Sequence, residues 1–154
     1  MRYWLMKSEP DAYGIDDLAR DGVAAWWGVR NYQARNFMRD QMSPGDRGFF
    51  YHSNCKEPGI VGLVEVCRRA YPDATQFDRK STYFDQKSSP DNPRWLNVDV
   101  RFVRKTPLVS LAELRRHPEL AGLRVLAKGN RLSITPVDPA EWKFINERLL
   151  GGKE

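Results

Sequence analysis

Apolar and polar positions fall into blocks that read as strands through the middle of the chain and as helices towards its ends. Phe49-Phe50-Tyr51 and Ile60 to Val66 are short runs, rich in aromatic and β-branched residues and apolar on both faces. Such runs predict buried strands, here over 47–52 and 59–67. Leu96, Val98, Val100 and Phe102 alternate with Asn97, Asp99 and Arg101, which predicts a half-buried strand within 95–104. Tyr3 to Lys7 reads as a short aromatic first strand, closed by Pro10, and Arg131 to Ile134 as a last one.

Helical signals sit between and after these runs. Asp16 to Arg20 reads as a short helix with Asp16 or Asp17 as cap and Gly22 as stop. Asn31 caps a helix from Tyr32 to about Met42, ended by the turn sequence Ser43-Pro44-Gly45-Asp46. Ser110 and Glu113 form a capping-box pattern for a helix running towards His117. Asp138-Pro139-Ala140-Glu141 opens a final helix that turns Trp142, Ile145 and Leu149 to the core. The stretch 68–93 is polar and long for a loop in a compact domain, which marks it as functional or ordered by packing. Consecutive strands without regular helical crossovers exclude a doubly wound sheet. They point to an α+β fold, a small, partly open mixed β-barrel with peripheral α-helices. At 154 residues, one domain over 1–154 is expected.

Composition adds a partner. The net charge of +5 favours an anionic partner, nucleic acid first, although many basic proteins bind none. Cys55 and Cys67 form no spaced disulfide framework, so a reducing, cytoplasmic compartment is expected. No apolar run approaches a membrane span, and Arg2 leads straight into Tyr3-Trp4-Leu5-Met6 without a signal-peptide pattern. No membrane association is expected, and the chain is expected to be a monomer.

Three stretches can carry chemistry. In Trp26 to Asn36, aromatics, arginines and amides interleave. Aromatic faces stack on bases, arginines take phosphates and amides read base edges, but an amphipathic helix with a solvated basic face has the same spacing. His52-Ser53-Asn54-Cys55 joins a histidine to a thiol, as nucleophilic catalysis requires. Adjacency in sequence is no evidence of reach, and a polar loop that satisfies its own backbone explains the same residues better than catalysis. His117 precedes Pro118 at a helix end, and no metal-ligand spacing exists, so neither metal nor cofactor is expected. Lys7-Ser8-Glu9 at a strand end and Gly129 to Ser133 ahead of a strand are weak signals alone.

Together these segments are specific. Lys7-Ser8-Glu9-Pro10, Trp26, Gly28 to Asn36, Phe49 to Asn54, Gly59-Ile60-Val61-Gly62 and Pro93-Arg94-Trp95 resemble the EVE domain family nearly end to end. One position departs: Trp27 stands where the family usually has an acid, which bears on the polarity of one pocket wall. The resemblance implies a PUA-like fold, related to YTH and ASCH domains, and a reader of modified bases in DNA or RNA, such as modified cytosines. It implies that Trp26 stacks on a flipped-out base. Asn31, Ser8 and Ser53 would then read the base edge, His52 would line the pocket, and Lys7, Arg30 and Arg131 would meet phosphates. Val29, Asn54, Trp95 and Ser133 complete the expected site. Neighbours in a loop point apart, so at most one of Trp26 and Trp27 stacks, and the resemblance selects Trp26. Two rivals remain: a small nucleotide hydrolase using His52 and Cys55, and an RNA-binding module without base selectivity.

Overall fold

The computed structural model describes residues 1–151. Six strands form one sheet in the order β2-β5-β4-β3-β1-β6. They are β1 (Tyr3–Ser8), β2 (Val23–Ala25), β3 (Arg47–His52), β4 (Gly59–Pro72), β5 (Leu96–Ser110) and β6 (Ile134–Val137). Helices α1 (Ile15–Asp21), α2 (Tyr32–Asp40), α3 (Leu111–Leu114) and α4 (Pro139–Phe144) surround it, and α4 runs on into a π-helical turn, Ile145–Leu149. All pairings are antiparallel except β1 with β3, whose register sets Ser8 beside His52.

The sheet is not closed into a barrel, which corrects the barrel expectation. Its edge strands β2 and β6 are three and four residues long and have no further strand partner in the sheet. Curvature instead comes from β4 and β5, which pair through repeated register shifts; such bulges bend a sheet and increase its twist. The mixed α and β composition stands as the sequence predicts.

Two cores follow from period-2 alternation. Trp4, Met6, Phe50, Val64, Val66, Val98 and Val100 face α1 and α2 on one side. Leu5, Phe49, Tyr51, Leu63 and Val109 face α3 and the C-terminal helix on the other, where Trp142 packs against Phe49 with ring centroids 4.3 Å apart. Gly62 leaves room for Ile15 of α1 to sit directly against the sheet. The strands predicted over 47–52, 59–67 and 95–104 are present, and β4 and β5 continue beyond them. The last strand starts at Ile134, three residues later than the alternation suggests, and β2 adds an edge strand between Gly22 and Trp26. Asn97, placed on the outward face by alternation, is buried, so the phase of β5 is less regular than its sequence.

Candidate functional site

β1 and β3 run parallel, so their carboxyl ends, Ser8 and His52, lie side by side. Ser53 N–H donates to Ser8 C=O at 3.0 Å and continues the pairing one residue further. β2 ends at Ala25, and Trp26 N–H donates to Val98 C=O at 2.7 Å before the chain leaves the sheet. The approach to β6 arrives at the same place, since Lys7 N–H donates to Ser133 C=O at 2.7 Å. The two edges of the open sheet thus meet a shared cleft of about 490 Å³ at the ends of β1 and β3. That is the size of an ordinary small-molecule site.

Nine of the predicted residues line this cleft: Lys7, Ser8, Trp26, Val29, Arg30, Asn31, Ser53, Arg131 and Ser133. Segments far apart in sequence bring them together, and the loop 26–31 forms the main wall. Trp26 is 7% exposed and packs edge-on against Phe50, with centroids 5.3 Å apart. Trp27 is 37% exposed and meets Tyr13 in a T-shaped contact at 5.1 Å. Tyr13 is itself anchored, because its hydroxyl donates to Asp21 Oδ2 at 2.7 Å and its carbonyl accepts from Ser8 Oγ at 2.6 Å.

Arg30 is placed differently from its expected contact with phosphate. Its Nε and Nη2 donate to Tyr83 C=O at 3.1 and 2.7 Å, and Nη2 also reaches Thr75 Oγ1. Nη1 donates to Val29 C=O and pairs with Asp73 at 3.2 Å. The guanidinium also lies over the rings of Tyr83 and Trp95. Every nitrogen of the group is engaged within the chain, so Arg30 builds the wall. Asp73 is the centre of that wall. Fully buried, it accepts from Gly28 N–H at 2.8 Å, from Arg30, and from the backbone and hydroxyl of Thr75.

Three expected residues lie outside the cleft lining. His52 Nε2 accepts from Ile15 N–H at 3.1 Å, so the imidazole caps α1 instead of facing the cleft. Burial lowers its pKa, with Lys105 acting in the same direction and Asp16 against. Asn54 adopts φ 53° and donates to Glu9 Oε1 at 2.9 Å. Trp95 is 6% exposed, stacks on Tyr32 with centroids 4.7 Å apart and donates from Nε1 to Asp85. Arg35 covers the Tyr32 ring at 4.7 Å, so this is a closed brace beneath the loop.

Glu9, Trp27 and Gly28, from stretches the sequence singles out, also line the cleft, and Tyr13 and Tyr83 are walls that sequence reasoning missed. Tyr83 lies on the polar stretch 68–93, whose length alone hinted at a role. That segment is held by Gln76, fully buried, whose side chain donates to Asp73 C=O and Trp95 C=O and accepts from Arg94 and Trp95 N–H. At the opposite rim Lys7 is half-buried, with its ammonium 3.4 Å from Asn130 C=O and its pKa lowered by burial. The cleft can therefore take a flat, partly polar ligand and offer it aromatic surface, hydroxyls and a cation. Among the described residues no group of three His, Cys, Asp or Glu could hold a metal, and no helix is long and apolar enough to cross a membrane.

Comparison with known proteins agrees with this architecture. The EVE domain family matches residues 2–148, and the chain belongs to that family. Thymocyte nuclear protein 1 of Gallus gallus is 44% identical over 163 residues, covering 93% of this chain and 66% of the relative. The chain thus spans about two thirds of that relative's length. A solved Pseudomonas putida protein is 50% identical with a TM-score of 0.91, covering 94% of this chain and 97% of its own. Human THYN1, solved in complex with 5-methylcytosine-containing DNA, is 42% identical with a TM-score of 0.90, covering 96% of each chain. The YTH domain of Zygosaccharomyces rouxii MRB1, solved with N6-methyladenosine RNA, has a TM-score of 0.55 at 13% identity over 95% of this chain and 84% of its own, and shares the fold alone.

Proposed function

We propose that this EVE domain binds nucleic acid carrying a modified base and takes that base, turned out of its stack, into the cleft between the sheet edges. The observation that carries the reading is the cleft itself, an aromatic-walled space with hydroxyls and a cation. It stands in a chain that shares 42% identity with a protein solved on 5-methylcytosine DNA. A modified cytosine is accordingly the ligand of choice, on DNA or RNA.

Trp26 offers the stacking face, and Tyr83 and Trp27 supply the facing aromatic surface. Ser53, Ser133 and the amide nitrogen of Asn31 meet the base edge. The oxygen of Asn31 is already used, accepting from Ala34 N–H at 3.0 Å to cap α2. Arg131, exposed at the rim, and Lys7 beside it meet the phosphates flanking the base. His52, Asn54 and Trp95 support the cleft from behind. The domain works by binding, without turnover: His52 spends Nε2 on α1, so the His52 and Cys55 pair lacks the free base that a nucleophilic thiol needs. It acts as a monomer.

Extrusion costs a few kcal/mol, and a stacked base returns ~1–3 kcal/mol. A single domain therefore binds weakly and prefers bases already unpaired. Titrating the protein with short strands carrying cytosine, 5-methylcytosine or N6-methyladenine, single-stranded and in duplex, tests the reading. Preference for one modified strand supports it. Equal affinity for all strands that vanishes with salt identifies a non-selective module instead.

A further inference from the structure

We infer that the bound strand leaves the cleft in one direction, across the segment 124–131, whose exposed cations meet its phosphates. This rests on the base-reading function above and adds a second surface to it. The rim of the cleft is electrically two-sided. On the α1 side stand the acids Glu9, Asp11, Asp16, Asp17 and Asp21, of which Asp16 is paired with Lys105 and Asp17 and Asp21 with Arg20. On the other side Arg124, Lys128 and Arg131 are all exposed and enter no ion pair among the described residues. A polyanion finds the cations of the first rim already paired with acids and is drawn along the second, where they are unpaired.

The surface on the cationic side is also shaped and adjoins the cleft. A second depression, about 370 Å³, is lined by Arg124, Ala127, Asn130 and Leu132, while the neighbouring residues Arg131 and Ser133 line the first. Asn130 joins the two. Its carbonyl faces the Lys7 ammonium inside the cleft, and its side-chain amide donates to Arg124 C=O at 2.6 Å. Its Oδ1 accepts from Leu132 N–H at 3.0 Å, and its own N–H donates to Ala127 C=O at 3.2 Å. The segment is thus a hydrogen-bonded shelf anchored below by Leu123 and Val125 in the core on the α3 side. A strand whose base enters at Trp26 passes Lys7 and Arg131 and then lies over that shelf. The geometry fits a backbone contact without base selectivity, because the shelf offers cations and an apolar floor but no aromatic platform.

The test uses the whole chain and a single strand of nine nucleotides with one central 5-methylcytosine, titrated over a salt series. Removing one cation that meets a phosphate of a single strand lowers the slope of log affinity against log salt by about 0.7. The double variant Arg124→Gln/Lys128→Gln should lower it by about 1.4 while preserving the preference for the methylated strand. A double variant of equal charge just past α3, Arg115→Gln/Arg116→Gln, should leave the slope unchanged. Adding a cation with Ala127→Lys should raise it by about 0.7. An unchanged slope in the 124/128 variant, or an equal fall in both doubles, overturns the route and leaves the base reading standing. A wild type with no preference for the methylated strand overturns the base reading and the route with it.

Discussion

The ring of Tyr83 occupies the space where a side chain on Gly28 would stand: a Cβ built there lies 2.8 Å from Cζ of the tyrosine. Gly28 also has φ +81°, a left-handed conformation, and hands its N–H to Asp73. The loop carrying Trp26 and the segment carrying Tyr83 are therefore fitted to each other at a residue without a side chain. Any other residue has to move one of the two walls.

Gly28→Ala tests this fit. Left-handed backbone costs a non-glycine residue about 1–2 kcal/mol, and displacement of the ring adds to it. A lower melting temperature together with weakened strand binding is expected. A variant that melts and binds like wild type would show the ring to be free to move.

Arg30→Leu separates wall from phosphate contact. The substitution leaves Asp73, whose side chain is 1% exposed, without its cation. An unpaired buried group of this kind costs about 1–3 kcal/mol or more, read as a fall in melting temperature. Binding of a single strand should weaken with its salt slope unchanged. A slope lower by about 0.7 would return Arg30 to the phosphate backbone.

These residues show what sequence makes visible. β3, β4 and β5 are legible because their apolar runs and alternation respond to burial on a sheet, whatever the rest of the chain does. β2 is three residues of Val and Ala, too short for a period to appear. The start of β6 is misplaced because the stretch just ahead of it, with Arg131 and Ser133, lines the cleft instead. Closure into a barrel depends on whether two edges pair, which no local pattern encodes. At the site, the wall 26–31 is legible as chemistry in one stretch. Tyr13 joins it through Ser8 and Trp27, and Tyr83 through Arg30, contacts 5 to 53 residues apart. The same contacts turn Arg30 inward, and the backbone of Ile15 claims His52.

His52 gives the fold a pH dependence. Its pKa is lowered in the folded state by burial, and its Nε2 must be unprotonated to accept from Ile15 N–H. The unfolded chain binds the proton more readily, so stability is full above the ordinary value near 6.5 and falls as pH drops below it. Melting temperatures at pH 7.5 and 5.5 should differ more in wild type than in His52→Gln, which carries no titrating ring. Equal differences would mean that other groups account for the acid sensitivity.

Trp26 and Trp27 divide between stability and binding. Trp26 is 7% exposed and belongs to the core under α1 and α2, packed against Phe50. Trp26→Ala would open a core cavity costing about 3–5 kcal/mol and would confuse the two effects. Trp26→Leu keeps apolar volume and removes the flat face. It should retain most of the stability and lose ~1–3 kcal/mol of binding to a modified strand, the worth of one base stacked on an aromatic ring. Trp27 is 37% exposed and meets Tyr13 in a T-shaped contact. Trp27→Ala should leave the melting temperature within a few degrees of wild type and weaken binding less than Trp26→Leu does. Affinity titrations and thermal melts on both variants, at one salt concentration, decide the assignment. If Trp27→Ala loses the larger share of affinity, the exposed ring is the stacking platform and Trp26 is its support.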